Sequence, residues 1–408
     1  MVVHPPAGGD ARAAYLPELA ALVWPAPADA TLRRDRREAG GYAVVPSAAR
    51  PRLLVPTASR RAAASAIRHS TEAIGLKARL RRQALAAAFR AGVGPLAFRD
   101  RLVVDGDGLD THLADVLGRP ALVSIHIGPA RANRKPVLQL LGPRGEALGY
   151  AKLGVDPLTQ ALVDAEAAAL TRLAGVDLGP VTVAEVLHHG RWNGHALLVQ
   201  SALPVRRPRP APSDAAAARD AAIRSVAAGL GVRRQGYAGS AYAKRLAADV
   251  DALGDRTEAA RLRAVLDAVT RADPVLGFGA WHGDWNDGNS AALADGRVLV
   301  WDWERFDADV PLGYDALHLR LQTAVTRTGT EPVDAARSLL AGAAATLAPF
   351  EQPTGVADAV AALYLVDLAA RYLRDRQAEA GARLGHVDAW LLPAVEEHLA
   401  GMNEGAQQ

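Results

Sequence analysis

The pattern of hydrophobic and polar positions changes twice along the chain and predicts three regions. In residues 1–118, a loose lead rich in Pro and Ala carries one short helix near 15–23. Two mainly apolar runs, 42–46 and 52–56, flank a short turn and predict a hairpin. Two helices are expected to follow it, at 59–69 and 77–91. This region is predicted to be an N-terminal extension containing both helices and strands.

From residue 121 the pattern becomes a meander of short apolar runs separated by polar turns. Strands are predicted at 121–127, 136–141, 147–153, 181–187 and 195–201. A helix is predicted around 162–170, and the last two strands are expected to pair in antiparallel fashion around the turn 190–194. Residues 119–203 should therefore form a small lobe built on an antiparallel sheet.

A Pro- and Arg-rich segment at 204–212 is predicted to be a stiff, extended linker. Beyond it, apolar positions recur mostly at helical spacing. Helices are predicted at 213–230, 241–253, 257–271, 316–326, 332–347, 356–377 and 386–399. Residues 204–408 should form a mainly helical lobe, so the predicted fold class is α+β with two lobes and an N-terminal extension.

A turn-rich stretch at 281–289 carries His282, Asp284 and Asn289. The apolar run 297–301 comes next and follows an Asp-Gly pair, which predicts a buried strand after a tight turn. Asp302 lies at the end of that strand, thirteen residues after Asn289. This separation allows the chain to double back and bring the polar side chains into one pocket.

Two carboxylates and an amide in one pocket suit phosphoryl transfer. Mg²⁺ prefers oxygen ligands and usually takes one or two side chains plus substrate phosphates. The other carboxylate is then left to orient an attacking hydroxyl, as in protein-kinase-type transfer. In order and spacing, the stretch His282-Gly283-Asp284 with Asn289, followed by Asp302-Trp303-Glu304, resembles the motifs of the aminoglycoside phosphotransferase and choline kinase family.

The resemblance covers residues 121–402 and implies a protein-kinase-like fold that uses ATP, or alternatively GTP, together with Mg²⁺. It implies Asp284 as the catalytic base and Asn289 and Asp302 as the Mg²⁺ ligands. His282 would act at the catalytic centre as a brace for the loop. Asp315 would match a family aspartate that holds the catalytic loop from below.

A nucleotide site is expected upstream of the loop. Lys152 lies on an otherwise apolar predicted strand, where a cation needs a partner. The resemblance implies that Lys152 grips the α- and β-phosphates and pairs with a glutamate of the next helix. Glu166 is the expected partner, and Asp164 is the alternative.

Two further segments are expected to contact the nucleotide. The turn after the first strand of the meander has only one glycine, Gly128, so it lacks a Gly-rich phosphate loop. Its backbone amides, with Arg131, Asn133 or the neighbouring Arg134, are expected to contact the phosphates instead. Backbone groups near Gln200 and Ser201 would hydrogen-bond the adenine, as in related enzymes.

Four residues are candidate contacts to the acceptor: Trp285, Asp287, Glu304 and Asp367. In the loop, Trp285 is bulkier than the usual leucine of the family, and Asp287 stands where many members have proline. Glu304 either supports the metal or caps the strand. Asp367 continues a helical stripe and could bind an acceptor hydroxyl or amine, but a salt bridge with Arg371 four residues later is favoured.

Charge and composition limit the classes of acceptor and binding partner that the sequence supports. The net charge is +3 with a pI near 9.3, which gives little support to a polycationic aminoglycoside acceptor. Residues 50–101 hold twelve cations against two carboxylates, a balance that suits a phosphorylated substrate, an anionic membrane surface, nucleic acid or simply a solvated face. Only two aromatic residues, Phe89 and Phe98, lie among these arginines, which argues against nucleic acid. The chain has no cysteine, which excludes disulfides and Cys-based metal sites.

The N-terminus has no signal-peptide pattern, and no apolar run reaches membrane-spanning length, so a cytoplasmic protein is expected. The predicted function is transfer of the γ-phosphoryl group of ATP to a hydroxyl of a small molecule, such as a sugar, nucleoside or amino-alcohol. The alternatives are a nucleotide-binding pseudokinase that serves as a docking module, and a protein kinase. A protein kinase is disfavoured because no Ala-Pro-Glu element follows Asp302. The sequence leaves the oligomeric state open.

Overall fold

The chain is mixed in secondary structure, as seen in a computed structural model that describes residues 10–34, 41–69, 76–129, 131–353 and 355–405. Its strands are β1 Asp29–Arg34, β2 Tyr42–Val45, β3 Leu53–Pro56, β4 Asp100–Asp105, β5 Leu122–His126, β6 Val137–Leu141, β7 Ala147–Gly154, β8 Val181–Thr182, β9 Val186–Trp192, β10 His195–Ser201, β11 Arg233–Gly236, β12 Val275–Trp281, β13 Ser290–Ala292, β14 Val298–Val300 and β15 Asp307–Pro311. Its helices are α1 Ala11–Val23, α2 Arg60–His69, α3 Leu76–Ala91, α4 Gly94–Ala97, α5 Leu109–Leu117, α6 Pro157–Leu173, α7 Pro212–Ala228, α8 Ala241–Asp251, α9 Thr257–Ala272, α10 Tyr314–Thr326, α11 Pro332–Ala341, α12 Ala343–Leu347, α13 Ala357–Arg374 and α14 Leu391–Gly405.

Contacts divide the chain into two units. Unit 1 comprises Met1–Asp164 and Glu185–Ala202, and unit 2 comprises Ala165–Ala184 and Leu203–Gln408. Unit 1 contains a nine-stranded sheet in the order β1-β4-β2-β3-β5-β6-β7-β10-β9, and every neighbouring pair in it is antiparallel. Unit 2 is mainly helical. The predicted α+β class, with one sheet-based part and one mainly helical part, is therefore confirmed.

The sheet of unit 1 is covered on both faces. Tyr42 and Val44 of β2 belong to a core that also holds residues of α1 and α5. The intervening residues Ala43 and Val45 belong to a second core, with residues of α2 and α3. Because successive strand residues point to opposite faces, β2 is buried on both sides, which explains its uninterrupted apolar sequence. Four strands from residues 1–118 join this same sheet, since β3 pairs directly with β5.

The prediction for 181–187 as one strand is wrong. Only Val186 and Leu187 belong to β9, which continues to Trp192, whereas β8 lies in unit 2 and pairs in parallel with β14. The hairpin turn is the two-residue Asn193-Gly194, and both residues have positive φ, 46° and 81°. An Asn-Gly pair tolerates this left-handed backbone, and it closes a tighter hairpin than the predicted turn 190–194.

Unit 2 is built around α13. This helix is buried over almost its whole length, and its side chains form the centre of a core shared with α8, α9, α10, α11 and α14. A helix that is apolar on most sides belongs in the interior of a bundle. Two three-stranded sheets, β11-β12-β15 and β13-β14-β8, flank the helices. None of the described helices combines the length and the apolar character needed to cross a membrane.

Candidate active site

The loop that follows β12 and the strand β14 lie side by side in unit 2. β13 pairs with β14 in a register that sets Ser290 opposite Val300. The N–H of Trp301 donates to the carbonyl of Asn289 at 3.1 Å, which extends this pairing by one step. Asp302 is the next residue, so the hairpin brings the end of β14 to the end of the loop. The chain doubles back at this point as the sequence predicted.

The carboxylate of Asp284 is held at both oxygens. The Asn289 side-chain amide donates to Asp284 Oδ2 at 2.9 Å and to the Asp284 carbonyl at 2.9 Å. His318 Nε2 donates to Oδ1 at 3.1 Å. The side chain of Asp284 remains 42% exposed. The carboxylate is therefore held by Asn289 and His318 on one side and open on the other.

Three neighbours set the charge of Asp284. Burial alone would raise the pKa of Asp284, but the His318 hydrogen bond and the nearby Arg371 and His282 outweigh it and lower the pKa to about 2. The carboxylate is therefore ionised at neutral pH and can only accept hydrogen bonds. A fixed, ionised acceptor of this kind can orient an incoming hydroxyl.

His318 is a partner of Asp284 that the sequence motif did not indicate. Its side chain is fully buried on α10, and burial lowers the pKa of the imidazole, so the ring is neutral at pH 7. Because Asp284 can only accept, Nε2 carries the proton, and Nδ1 then accepts from the Tyr364 hydroxyl at 3.0 Å. His318 lies three residues after Asp315 on one helix, a spacing that places both on the same face and was a usable signal.

His282 acts on the loop backbone. It is fully buried, its Nε2–H donates to the Trp301 carbonyl at 2.9 Å, and its Nδ1 accepts from the Asp284 N–H at 3.2 Å. Burial lowers the pKa of His282, which keeps the ring neutral with one donor and one acceptor. Both ring nitrogens are occupied, so His282 positions the loop against β14 and has none left for a substrate.

Two further side chains fix the turn at Gly283. Asp315 is buried and accepts from the N–H groups of His282 at 2.6 Å and Gly283 at 3.1 Å. Burial raises the pKa of Asp315 to about 7, and the two backbone donors limit that rise. Arg371, from α13, donates to the Gly283 carbonyl at 2.6 Å. The loop that carries Asp284 is thus tied to α10 and to α13.

The salt bridge that the sequence favoured between Asp367 and Arg371 is wrong. No such ion pair occurs among the described residues, because Arg371 turns to Gly283 and Asp367 accepts from the Tyr242 hydroxyl at 3.1 Å. Burial raises the pKa of Asp367. The tyrosine cluster around it, with Tyr242 bonded to Tyr314 at 2.6 Å, places this carboxyl in a hydroxyl-rich part of the core.

Asn289 and Asp302 carry the side-chain oxygen atoms that the predicted Mg²⁺ site requires. Both Asn289 hydrogen bonds use the amide nitrogen, so the amide oxygen points away from Asp284, and no described residue donates to it. Asp302 has a left-handed backbone with φ 64°, which is uncommon for a residue other than glycine and recurs at functional sites. Among the described residues no three His, Cys, Asp or Glu side chains cluster as a metal cage. Two oxygen ligands suit Mg²⁺, which takes its other ligands from water and phosphates.

The loop residues Trp285 and Asp287 have contacts of their own. Trp285 is fully buried and packs edge-on against His282, so its ring offers no surface to a substrate. Asp287 forms ion pairs with Arg219 of α7 and, at 2.8 Å, with Arg327 at the end of α10. Glu304 lies in a single 3-10 turn, Trp303–Arg305, and is partly exposed.

The residues predicted to bind the nucleotide lie on α6 and in unit 1. Lys152 is buried on β7, between Val137 and Leu198 of the adjacent strands. Glu166 is buried on α6. Asp164, the alternative partner named for Lys152, is engaged by His189 at 2.7 Å and by Arg191 at 2.9 Å.

The two other predicted nucleotide contacts lie at chain turns. Arg131 and Asn133 are in the loop between β5 and β6, where Arg131 is exposed and Asn133 partly buried. Gln200 is buried and Ser201 ends β10. The Glu185 N–H donates to the Ser201 hydroxyl at 2.9 Å. The chain leaves unit 1 after Ala202, next to this pair.

Comparison with known proteins gives matches to solved structures only. No family model matches the sequence, and no curated protein matches it. The chain is similar to a structure named as a fructosamine-3-kinase from Haemophilus somnus 129PT, with 12% identity, a TM-score of 0.43, and coverage of 71% of this chain and 96% of that one. It is also similar to a variant of aminoglycoside 2′-phosphotransferase-IIIa in complex with GDP, at 12% identity and a TM-score of 0.40, over 67% of this chain and 91% of that one.

A third similar structure is spectinomycin phosphotransferase in complex with ADP and spectinomycin. It shares 11% identity and a TM-score of 0.37, over 70% of this chain and 93% of that one. By their names, all three are kinases or phosphotransferases of small molecules.

Proposed function

We propose that this protein transfers the γ-phosphoryl group of ATP to a hydroxyl of a small molecule. The observation that carries the proposal is the Asp284 carboxylate, which Asn289 and His318 hold at separate oxygens in an ionised state. Asp302 follows β14 beside the same loop. An orienting carboxylate next to an amide and a second carboxylate is the donor set that kinase-type transfer needs.

Asn289, through its amide oxygen, and Asp302, through its carboxylate, would hold Mg²⁺. When bound by these two residues, Mg²⁺ would supply positive charge that offsets the negative charge of the phosphates. The left-handed backbone at Asp302 and the Asn289 bonds to Asp284 fix these two ligands relative to the loop.

Asp284 would accept a hydrogen bond from the acceptor hydroxyl and aim its oxygen at the γ-phosphorus. As the new O–P bond forms, the bond from the γ-phosphorus to the β-phosphate oxygen breaks and ADP leaves. The hydroxyl proton moves to Asp284. Because the pKa of Asp284 is about 2, the carboxylate is a weak base towards the free hydroxyl, so its main contribution is orientation, with late proton transfer.

Lys152 would contact the α- and β-phosphates, with Glu166 as its partner. This proposal rests on the burial of both side chains and on the engagement of Asp164 elsewhere. Arg131 and Asn133 would contact phosphates, and the backbone near Gln200 and Ser201 would bind the base. GTP is the alternative donor.

For the acceptor we propose a sugar, a nucleoside or an amino-alcohol. Asp367 and Glu304 remain the candidate acceptor contacts. The buried carboxyl of Asp367, among tyrosine hydroxyls, suits a hydrogen bond to a neutral hydroxyl or amine. Trp285 is fully buried, and Asp287 forms ion pairs with two arginines. Both residues would therefore shape the loop.

An acceptor screen tests the proposed function. The full-length protein is incubated with Mg²⁺ and ATP, or GTP in parallel, against sugars, nucleosides and amino-alcohols, and phosphorylated products are detected by mass spectrometry. We expect product from at least one class and none from Asp302→Asn. Tight binding of ATP–Mg²⁺ with no product in any class would instead favour a non-catalytic nucleotide-binding module.

A further inference from the structure

A cavity of about 550 Å³ lies within unit 2, between α7, α10 and the segment around Thr346 and Phe350. Its volume lies in the range of small-molecule sites. Its charged lining residues are Arg219, Asp220, Arg224 and Arg320. Three arginines and one aspartate therefore line a ligand-sized space.

On α10, the residues that line the cavity are on the face opposite His318, the residue that bonds Asp284. Ala316, Arg320 and Thr323 line it, and their spacing of four and three residues places them on one helical face. His318, which bonds Asp284, lies two residues from Ala316 and from Arg320, a spacing of about 200° around the helix axis. The cavity is therefore separate from the proposed transfer site.

The positive charge of this cavity is only partly neutralised by its surroundings, since Asp220 lines it and Asp287 pairs with Arg219. Arg224 is exposed and has no acidic partner among the described residues. Arg320 donates to two neutral acceptors, the Thr346 hydroxyl at 3.0 Å and the Ser338 carbonyl at 3.5 Å. Neighbouring guanidinium groups repel one another, so a negative ligand between them would relieve an unfavourable interaction.

Arg219 connects the cavity to the catalytic loop. It lines the cavity and also pairs with Asp287, a carboxylate that it shares with Arg327. Its Nε is shielded from solvent and has no acceptor among the described residues. Arg219 thus has an unused donor, and only half of one carboxylate balances its charge.

The remaining lining is apolar. Ile223, Leu319 and Phe350 line the cavity and are mostly buried. An apolar surface next to cations matches a ligand with an apolar body and an anionic head. We propose that this cavity binds a small organic anion, with Arg219, Arg224 and Arg320 around its phosphate or carboxylate group. An anion bound there draws Arg219 away from Asp287 and loosens the tether of the catalytic loop.

Calorimetry on the full-length protein tests the binding directly and requires no turnover. The probes are phenyl phosphate and benzoate, with inorganic phosphate and benzyl alcohol as comparisons that lack the apolar body or the charge. We expect at least one of the two organic anions to bind more tightly than both comparisons. The doubly substituted Arg224→Gln, Arg320→Gln protein should bind that anion at least tenfold more weakly.

Arg271→Gln is the matched control, because Arg271 is an exposed arginine of α9 that does not line the cavity. It removes one guanidinium group, as each of the two substitutions in the double variant does, and should change binding less than twofold. Thermal unfolding of each variant checks that the fold is retained. Binding that is absent in the wild type, or unchanged in the double variant, would overturn the proposal.

Hydrogen exchange tests the link to the loop. In the wild type, the bound anion should speed exchange of the amides in residues 282–289, and the double variant should show no such change. Unchanged exchange at an anion concentration that saturates the calorimetric site would refute the role of Arg219. The failure of the proposed kinase activity would leave both tests intact, since neither measures phosphoryl transfer.

Discussion

Asp284 takes its orientation from two side chains at different distances along the sequence. Asn289 belongs to its own loop, whereas His318 comes from α10. Together with Arg371 they offset the effect of burial and lower the pKa of Asp284 to about 2. The folded-state pKa is depressed, so the carboxylate is ionised above about pH 2, and protonation of Asp284 should cause no loss of activity between pH 5 and 8.

Replacing His318 by leucine removes one donor to Asp284. The ionised form then loses a hydrogen bond, so the pKa of Asp284 should rise. The acid limb of the kcat/KM profile should move up by about one pH unit, since hydrogen bonds to charged groups contribute about 1.5 to 3 kcal/mol and Asp284 is partly exposed.

His318→Gln is the companion variant, because its amide keeps an N–H donor. It should restore the acid limb towards the wild-type position. If His318→Leu lowers kcat/KM equally at every pH, His318 serves packing alone and the electrostatic account of this residue is wrong.

At the level of elements, the loop 282–289 that carries Asp284 is held by hydrogen bonds to α10, α13 and the residue after β14. Asp315 receives two backbone N–H groups of the loop, Arg371 donates to the Gly283 carbonyl, and His282 bonds the end of β14. Gly283 has φ 88°, and a Cβ there would lie 2.2 Å from the Arg305 carbonyl oxygen. The motif therefore needs glycine at this position for two independent reasons.

A comparison of Gly283→Ala with Gly296→Ala separates the cost of the left-handed backbone from the cost of the clash with Arg305. Gly296 has φ 89°, and a Cβ added there would meet nothing within 4 Å, so its substitution carries only the left-handed backbone cost of about 1 to 2 kcal/mol. Gly283→Ala adds the clash, and we expect a further loss of at least about 2 kcal/mol in the free energy of unfolding. Urea denaturation measures the free energy of unfolding of both variants. Equal losses would show that the loop can move away from Arg305.

A buried ion pair joins the 3-10 turn after Asp302 to the end of α13. Arg305 pairs with Asp375, and their side chains are only 12% and 1% exposed. Asp375→Asn leaves a buried cation without a counter-charge and should lower the free energy of unfolding by about 3 kcal/mol.

Glu397→Gln offers the matched surface change. Its pair with Arg337 at 2.9 Å has side chains 48% and 56% exposed, and its loss should cost less than about 1 kcal/mol. Denaturant titrations measure the loss in the free energy of unfolding for Asp375→Asn and for Glu397→Gln. Similar values would mean that solvent reaches the Arg305 pair and that α13 does not anchor this turn through it.

At the scale of the whole molecule, local patterns in the sequence predicted most helices of unit 2 and the meander of unit 1. The predicted helix 332–347 is divided into α11 and α12 at Gly342, and β11, β12 and β15 were not predicted. The short motif at 281–304 also identified a loop and a strand end that the structure brings together. The positions of β1 and β4 were missed. Both carry arginines, and β1 is exposed over most of its length, so neither shows a clear alternation of apolar residues.

The site itself was only partly predictable for a similar reason. Asn289 is five residues from Asp284 and follows from the motif, whereas His318 and Arg371 reach the loop from 34 and 88 residues away from the groups they bond. Such contacts depend on the packing of α10 and α13, which periodicity does not specify. The preference for an Asp367–Arg371 salt bridge failed because helical spacing allowed the pair, while a buried backbone carbonyl at Gly283 also needed a donor.

The most direct test of the central claim compares Asp284→Asn with the wild type, using an acceptor from the screen. Asparagine keeps the shape of the side chain but cannot accept the proton or repel a wrongly oriented phosphate. We predict that kcat falls by about 10²- to 10⁴-fold, while the affinity for ATP–Mg²⁺ changes less than about threefold. Unchanged kcat, or loss of nucleotide binding without loss of kcat at saturation, would contradict the assignment of Asp284 as the residue that orients the acceptor.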